Sequence, residues 1–280
     1  MRTCGMVSGN LNIRSRTTGR FMASIIETLI LGIIQGLTEW LPVSSSGQLA
    51  IAKEFLGWQP PIIFYVLLHL GTLFVVVAFF RKRVVKILKE LIRRDLKSEE
   101  GNLAAFVVVG SIPTAVIGYV FQELFESFFD NLLVVGVALL ATGFLLFVSE
   151  RREGNRALNY LDSLLVGIAQ GIAIIPGISR SGSTIATALL KKVDRETAFE
   201  FSFLLSIPAV LGATIAKVGD LNLLIGGGDT VAVVVSVVAS MIVGYFSLKV
   251  LLRLVMKKKF HWFAFYCWAA GALVLISQIL

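Results

Sequence analysis

Glu39 lies in Thr38-Glu39-Trp40-Leu41-Pro42-Val43-Ser44-Ser45-Ser46-Gly47-Gln48, an apolar run that carries one carboxylate and then three hydroxyls in a row. A carboxylate at bilayer depth costs on the order of 3 kcal/mol by insertion scales, so its retention points to function or to pairing. The bland reading is an interfacial Glu beside an aromatic anchor, Trp40. A second segment, Pro176-Gly177-Ile178-Ser179-Arg180-Ser181-Gly182-Ser183, holds a guanidinium with apolar sequence on both sides. Arginine suits bidentate capture of phosphate or carboxylate. In each segment the hydroxyls precede a Gly and then a helical run, Leu49 to Phe55 and Thr184 to Leu190. A helix starting there presents free N–H groups and its positive dipole end, a ready anion site. N-capping and small-residue packing account for one such motif. They do not account for two matched motifs together with Glu39 and Arg180.

The two segments are copies. Gly32-Ile33-Ile34-Gln35-Gly36 followed by Ser44-Ser45-Ser46-Gly47 aligns without a gap on Gly167-Ile168-Ala169-Gln170-Gly171 followed by Ser179-Arg180-Ser181-Gly182, so Arg180 stands where Ser45 stands in the first copy. Gln35 and Gln170 form a symmetric pair that reads as interhelical hydrogen-bonding glue. Glycine, proline and clustered hydroxyls free backbone groups that hydrocarbon cannot satisfy. Interruptions at matching places in two halves point to a binding site between them.

The elements that must position these residues are membrane helices. The chain has 280 residues, 56% of them hydrophobic and 16% charged, with a mean hydropathy of +0.83, outside the range of a soluble globular domain. Six apolar spans are predicted: Ile62 to Phe80, Leu103 to Phe121, Leu132 to Ser149, Phe199 to Ala216, Thr230 to Leu248 and Trp262 to Leu280. Each is near the length a bilayer core requires. The net charge of +8 sits in short connections rather than on an amphipathic face, which argues for positive-inside topology and against nucleic acid. Arg81 to Lys97, Arg151 to Arg156 and Lys249 to Lys259 are the basic connections and are expected on the cytoplasmic side. Gln122 to Asn131 and Lys217 to Asp229 are expected outside.

Three spans separate the two copies, and an odd number of crossings inverts orientation. The expected fold is therefore an all-α polytopic membrane protein of six transmembrane helices plus two re-entrant helical hairpins in inverted-topology repeats. Residues 22–280 form one membrane domain, with repeat 1 over about 24–149 and repeat 2 over about 160–280. Residues 1–21 read as a disordered extension. The hairpin tips meet near the midplane, around a cavity expected to open to the outer face of the cell membrane.

Other chemistry-bearing residues have simpler readings. His69, in Leu68-His69-Leu70-Gly71-Thr72, could shuttle protons but reads first as a satisfied structural histidine. Glu200 lies one turn into a helix capped by Asp194 or Thr197, and the helix dipole suffices for it. His261 is assigned nothing, and Cys4 and Cys267 indicate neither a disulfide framework nor a metal motif.

Gln35-Gly-Leu-Thr-Glu-Trp-Leu-Pro-Val-Ser-Ser-Ser-Gly47 and Pro176-Gly-Ile-Ser-Arg-Ser-Gly182 resemble the two signature motifs of the undecaprenyl-diphosphate phosphatase (bacitracin-resistance) family, and the resemblance extends from about Ala23 to Leu280. It also takes in Leu68-His-Leu-Gly-Thr72, Ser111-Ile-Pro113 and Phe201-Ser-Phe-Leu-Leu-Ser-Ile-Pro208. The resemblance implies a dimer that removes the terminal phosphate from a polyprenyl diphosphate carrier, with dependence on a divalent cation, Mg2+ or Ca2+. It implies catalytic roles for Glu39, Ser45 and Arg180, with Glu39 also the metal ligand, shared with substrate phosphates. Ser44, Ser46, Gly47, Gln48, Gln35, Ser179, Ser181, Gly182 and Ser183 are the expected substrate contacts. Two positions depart from the family pattern. Gln35 occupies an acidic position of some members, and Gln48 stands where many carry His, so a route through that histidine cannot operate. The expectation is attack by Ser45, with direct attack by a Glu39-positioned water as the variant. A transporter or flippase of a phosphorylated lipid or small anion is the alternative, since broken helices in inverted repeats also describe transporters.

Overall fold

A computed structural model describes residues 25–57, 60–151, 154–221 and 230–279. The extension expected over residues 1–21, with Cys4, lies outside the described residues, as does most of the connection from Lys217 to Asp229. The described chain is helical, and within it the only extended pairing is an isolated bridge between Arg156 and Val193. The first hairpin is α1 (Ile25–Trp40) and α2 (Ser45–Leu56), followed by α3 (Ile62–Phe79), α4 (Arg81–Arg93), α5 (Glu99–Val120), α6 (Gln122–Phe128) and α7 (Leu132–Glu150). The second hairpin, α8 (Tyr160–Ile172) and α9 (Arg180–Leu190), leads into α10 (Arg195–Lys217), α11 (Thr230–Met256) and α12 (Trp262–Ser277).

Five helices, α3, α5, α7, α10 and α11, are long and apolar enough to cross a membrane. The sixth expected span, α12, has 16 residues. At about 1.5 Å per residue that is roughly 24 Å, short of a bilayer core of about 30 Å. Several helices outrun the apolar stretches that predict them: α5 starts at Glu99 and α10 at Arg195, because Ser98 and Asp194 cap them by accepting the N–H of Gly101 and of Thr197. Hydrophobicity marks the membrane-crossing stretch, whereas capping chemistry marks the helix end.

The packing repeats between halves. Helix α1 packs on α11 as α8 packs on α5, and α3 on α11 as α10 on α5, while α3 meets α10 and α7 meets α12. The details match residue by residue. Thr28 Oγ1 donates to the Ala232 carbonyl at 3.4 Å, and Ser163, its counterpart, donates to the Phe106 carbonyl. A β-carbon at Gly32 would sit 2.4 Å from the Ser236 carbonyl oxygen, and one at Gly167 would sit 2.0 Å from that of Gly110. Only glycine lets these backbones approach so closely, the usual device for packing helices in lipid.

One end of the bundle is tied by ion pairs. Arg195 meets Glu150 at 2.8 Å and the Val255 carbonyl at 3.3 Å, joining the start of α10 to the ends of α7 and α11. Arg83 on α4 meets Glu200 at 2.8 Å and Glu99 at 2.6 Å. Glu200 is therefore held by a guanidinium as well as placed in an early turn of its helix. The expectation of a purely dipolar role missed Arg83 because that partner is distant in sequence. His261, given no role from sequence, donates its backbone N–H to Glu150 at 3.2 Å.

Candidate active site

Each hairpin turns at a cluster of hydroxyls, and the two turns touch. Ser44 caps α2, accepting the Gly47 N–H at 3.2 Å; Ser179 caps α9, accepting the Gly182 N–H at 3.1 Å. Ser44 does this at φ +63, unusual for a residue with a β-carbon. The other tip holds it there: its Oγ also accepts the Gly177 N–H at 3.0 Å and lies 3.3 Å from the Ile178 carbonyl. Gly177 has φ +98, and a β-carbon on it would meet the Val135 carbonyl oxygen at 2.5 Å. Thr142 on α7 braces the same tip, donating to the Gly177 carbonyl at 2.9 Å and accepting the Ser179 N–H at 3.2 Å. The N–H groups of Ser45, Ser46, Arg180 and Ser181 have no protein acceptor among the described residues, as expected for first-turn donors.

Glu39, in the last turn of α1, is buried, its side chain 1% exposed. Its carboxylate gathers four side chains. Arg180 Nη2 binds Oε1. On Oε2, the Ser45 hydroxyl donates at 2.5 Å and Gln35 Nε2 at 2.9 Å, while His69 Nε2 lies 3.3 Å away. His69 Nδ1 lies 2.8 Å from the Tyr65 carbonyl and must donate to it, which fixes the ring against the carboxylate. A carboxylate at a helix C-terminus and a guanidinium at a helix N-terminus each oppose the local dipole. Their mutual pairing offsets both.

A small cavity beside this cluster is lined by Glu39, Trp40, Arg180, Ser181, Ser202, Phe203 and Ser206. Its floor is aromatic, with Trp40 edge-on to Phe203 at 5.3 Å. Arg180, 20% exposed, uses only Nη2 on Glu39; its other N–H groups have no acceptor among the described residues and remain open to an anion.

Of the residues singled out by sequence, Glu39, Ser45, Arg180 and Gln35 come together directly. Ser44, Ser46, Gly47, Ser179, Ser181 and Gly182 build the touching tips; Ser46 Oγ lies 3.1 Å from Ser44 Oγ, and Ser181 Oγ 3.3 Å from Ser179 Oγ. Gln48 faces elsewhere: its amide bonds the Val43 carbonyl at 3.2 Å and the Tyr266 hydroxyl at 3.1 Å. The Ser183 hydroxyl is buried without a partner among the described residues. Gln170 behaves as glue, reaching Thr114 and the Leu205 carbonyl, both at 3.3 Å. Gln35 does not, since it binds Glu39 one turn along its own helix. His69, read first as structural, belongs to the cluster, and Ser202 and Ser206 line the cavity beside it. A polar residue inside an apolar span was the available signal for all three, but the partner could not be read from one sequence.

Residues 28–273 match the family described as "Bacitracin resistance protein BacA". The chain belongs to the bacitracin-resistance (BacA) family. Among its BacA relatives, an undecaprenyl-diphosphatase of Alkaliphilus metalliredigens is 40% identical over 272 residues, covering 91% of this chain and 98% of the relative. One of Carboxydothermus hydrogenoformans is 39% identical over 260 residues, with 90% and 97% covered. One of Methanosphaera stadtmanae is 35% identical over 276 residues, with 92% and 99% covered.

Proposed function

We propose that this chain is an integral-membrane phosphatase that hydrolyses an undecaprenyl-type diphosphate to the monophosphate and inorganic phosphate, recycling a lipid carrier for cell-envelope glycan synthesis. The observation that carries the reading is the convergence of Ser45 and Arg180 on one buried carboxylate, Glu39, where two helix N-termini touch. Family membership and the names of the relatives support the same activity.

In this mechanism the substrate tail stays in lipid and the headgroup enters between the tips. Ser45 passes its proton to Glu39 along the 2.5 Å hydrogen bond, and its oxygen attacks the terminal phosphorus. The bond from that phosphorus to the bridging oxygen breaks, and undecaprenyl monophosphate leaves. Glu39 hands the Ser45 proton to the departing monophosphate and is again a base. It then deprotonates a water that attacks the phosphoserine phosphorus; the bond to the Ser45 oxygen breaks, that oxygen takes the proton back from Glu39, and phosphate is released. Arg180 and the free N–H groups of Ser45, Ser46, Arg180 and Ser181 meet charge on the equatorial oxygens, the main requirement of phosphoryl transfer.

No cluster of three or more His, Cys, Asp or Glu suited to a metal occurs among the described residues. The donors that fit a hard cation are the Glu39 carboxylate and Gln35 Oε1, a buried amide oxygen without a partner among the described residues. Two oxygen-donating side chains and substrate phosphates suit Mg2+ or Ca2+, and Mg2+ commonly takes few protein carboxylates. Such an ion, when bound, neutralises phosphate charge.

The symmetric helix pairings and the mid-chain turns support two re-entrant hairpins in inverted repeats, with α12 as a short sixth span. Basic connections support a plasma-membrane protein whose site opens outward, and we extend the reading to a homodimer. The decisive experiment reconstitutes purified protein with undecaprenyl diphosphate and measures phosphate release, with rapid-quench trapping of label on Ser45. Release with labelled Ser45 is expected. Tight headgroup binding without release would instead favour a transporter, and release without label would favour direct attack by water.

A further inference from the structure

Helix α4 follows the membrane-crossing α3 with only Phe80 between them, and none of its 13 residues is buried. Its sequence, Arg81-Lys-Arg-Val-Val-Lys-Ile-Leu-Lys-Glu-Leu-Ile-Arg93, divides into two arcs at about 3.6 residues per turn. One arc carries Val84, Val85, Ile87, Leu88, Leu91 and Ile92, with Arg81 on the same side at the helix start. The other carries Lys82, Arg83, Lys86, Lys89, Glu90 and Arg93.

The inner edge of the apolar arc, Val84 and Ile87, packs on the bundle. The outer edge does not: Val85, Leu88 and Ile92, spaced i, i+3, i+7, are 49%, 52% and 83% exposed. Charge on the polar arc is likewise only partly used. Arg83 and Lys86 pair with acids of α5 and α10, and Arg93 pairs with Glu90. Arg81, Lys82, Lys89 and Arg94 have no acidic partner among the described residues and are exposed.

The level of α4 is set by Arg83, which binds Glu200 near the start of α10. At that start Arg195 holds the ends of α7 and α11. Aromatic rings near these ends carry cations, with Arg151 over Phe147 at 4.6 Å and Lys249 over Tyr245 at 4.2 Å. Rings and basic side chains in combination mark a membrane–water boundary. An exposed apolar stripe held at that level, flanked by unpaired cations, is complementary to a surface with apolar depth and negative headgroups.

We propose that α4 lies in the plane of the bilayer surface and is an anionic-lipid binding site, with Val85, Leu88 and Ile92 among the acyl chains and Arg81, Lys82, Lys89 and Arg94 on acidic headgroups. The site is separate from the Glu39–Arg180 cluster and does not depend on the phosphatase reading. It requires only that the chain be membrane-embedded.

The test uses the full chain carrying Cys4→Ser and Ile92→Cys, labelled at residue 92 with an environment-sensitive fluorophore. The labelled protein is reconstituted in phosphatidylcholine vesicles containing a fraction of phosphatidylglycerol, with bromine on the acyl chains of one lipid or the other. Cys267 is buried, and the Cys4→Ser chain without Ile92→Cys gives its background. Bromine on either lipid should quench the label, and brominated phosphatidylglycerol should quench it disproportionately to its share of the bilayer. Lys82→Gln with Lys89→Gln should lower that preference on the order of tenfold while leaving phosphate release intact. A label quenched by aqueous iodide and not by brominated lipid would overturn the proposal. So would shielding from both quenchers that grows with protein density, which would put a second copy of the chain on this face. A preference for phosphatidylglycerol unchanged by loss of the two lysines would also overturn it.

Discussion

Glu39 and Arg180, 141 residues apart, form an ion pair across the junction of the two hairpin tips. Neither is placed where its own helix favours it, and the pair is the only charge-to-charge link between the tips among the described residues. Each charge holds the other in place, and both line the small cavity beside the tips.

Removing one partner should therefore damage stability and catalysis together. Arg180→Ala strands a buried carboxylate, a change that costs about 3 to 5 kcal/mol in buried pairs. It also removes the cation available to the substrate, so phosphate release should fall by on the order of 10³-fold or more. Arg180→Lys keeps charge but loses the planar fork, and should recover most of the thermal midpoint with little of the turnover. Turnover near wild type in either variant would remove Arg180 from the mechanism. Thermal unfolding in detergent, run beside a phosphate assay, separates the two effects.

Ser44 and Ser45 are neighbours with separable roles. Ser44 Oγ accepts two backbone N–H groups, one from each tip, whereas Ser45 donates to Glu39. Ser44→Ala should cost about 1 to 2 kcal/mol as a lost cap and loosen the junction, leaving some turnover. Ser45→Ala removes one of several donors to Glu39, so it should cost less stability than Arg180→Ala while abolishing turnover and the phosphoprotein. The outcome that counts against this assignment is substantial turnover by Ser45→Ala.

His69 should act as a positioning residue for Glu39. His69→Gln keeps an amide able to donate to one of its two neighbours, and should retain a measurable kcat. His69→Leu removes the ring from beside Glu39 and puts no polar atom in its place, and should lower kcat more than it raises KM. Equal effects from Gln and Leu would show that the ring matters only as packing.

The motifs carried most of this in the sequence. Two gapless copies predicted two turns, with N-capping as the plain account of each hydroxyl cluster; Ser44 and Ser179 are caps, with Gly47 and Gly182 as the capped donors. A carboxylate and a guanidinium in apolar sequence pointed to one shared site between the tips; that Arg180 binds Glu39 directly is the structure's addition. What could not be read was which side chains from other helices complete the cluster. His69 reaches Glu39 only because α3 crosses behind α1. Gln48 turns to Tyr266 because α2 presents that face to α12. Both depend on helix rotation, which one sequence does not specify. The start of α5 was missed because capping by Ser98, rather than hydrophobicity, extends it, whereas Asp194 was legible as a cap and does cap α10.

Outside the membrane-crossing stretches, Glu126 on α6 binds Lys217 at 2.9 Å. The hydrogen bond from Lys217 holds its carboxyl below the ordinary value, ahead of the opposing effect of partial burial. A carboxyl lowered in the folded state contributes stability that is fully present above the unfolded value of about 4.3 and is lost as pH falls through the folded value. The thermal midpoint of wild type should therefore exceed that of Glu126→Gln at neutral pH, with the gap closing below about pH 4. A gap that persists undiminished into acid would mean that Lys217 is not its source.

Gly177 offers the sharpest test of the tip-to-tip junction, because steric and catalytic consequences can be told apart by a control. Its φ of +98 disfavours any β-carbon, and an added one would meet the Val135 carbonyl oxygen at 2.5 Å. Gly177→Ala should cost more than about 2 kcal/mol from strain and crowding combined. Gly212, within α10, has nothing within 4 Å of an added β-carbon, so Gly212→Ala should be neutral or stabilising by up to about 1 kcal/mol. The Gly177 N–H donates to Ser44, which caps the helix that begins at Ser45. Displacing that donor should therefore shift Ser45 relative to Glu39, and turnover per folded molecule should fall as well as the folded fraction. If Gly177→Ala lowers stability while each folded molecule keeps full turnover, the tips do not need each other for catalysis, and the first hairpin alone sets the Ser45–Glu39 geometry.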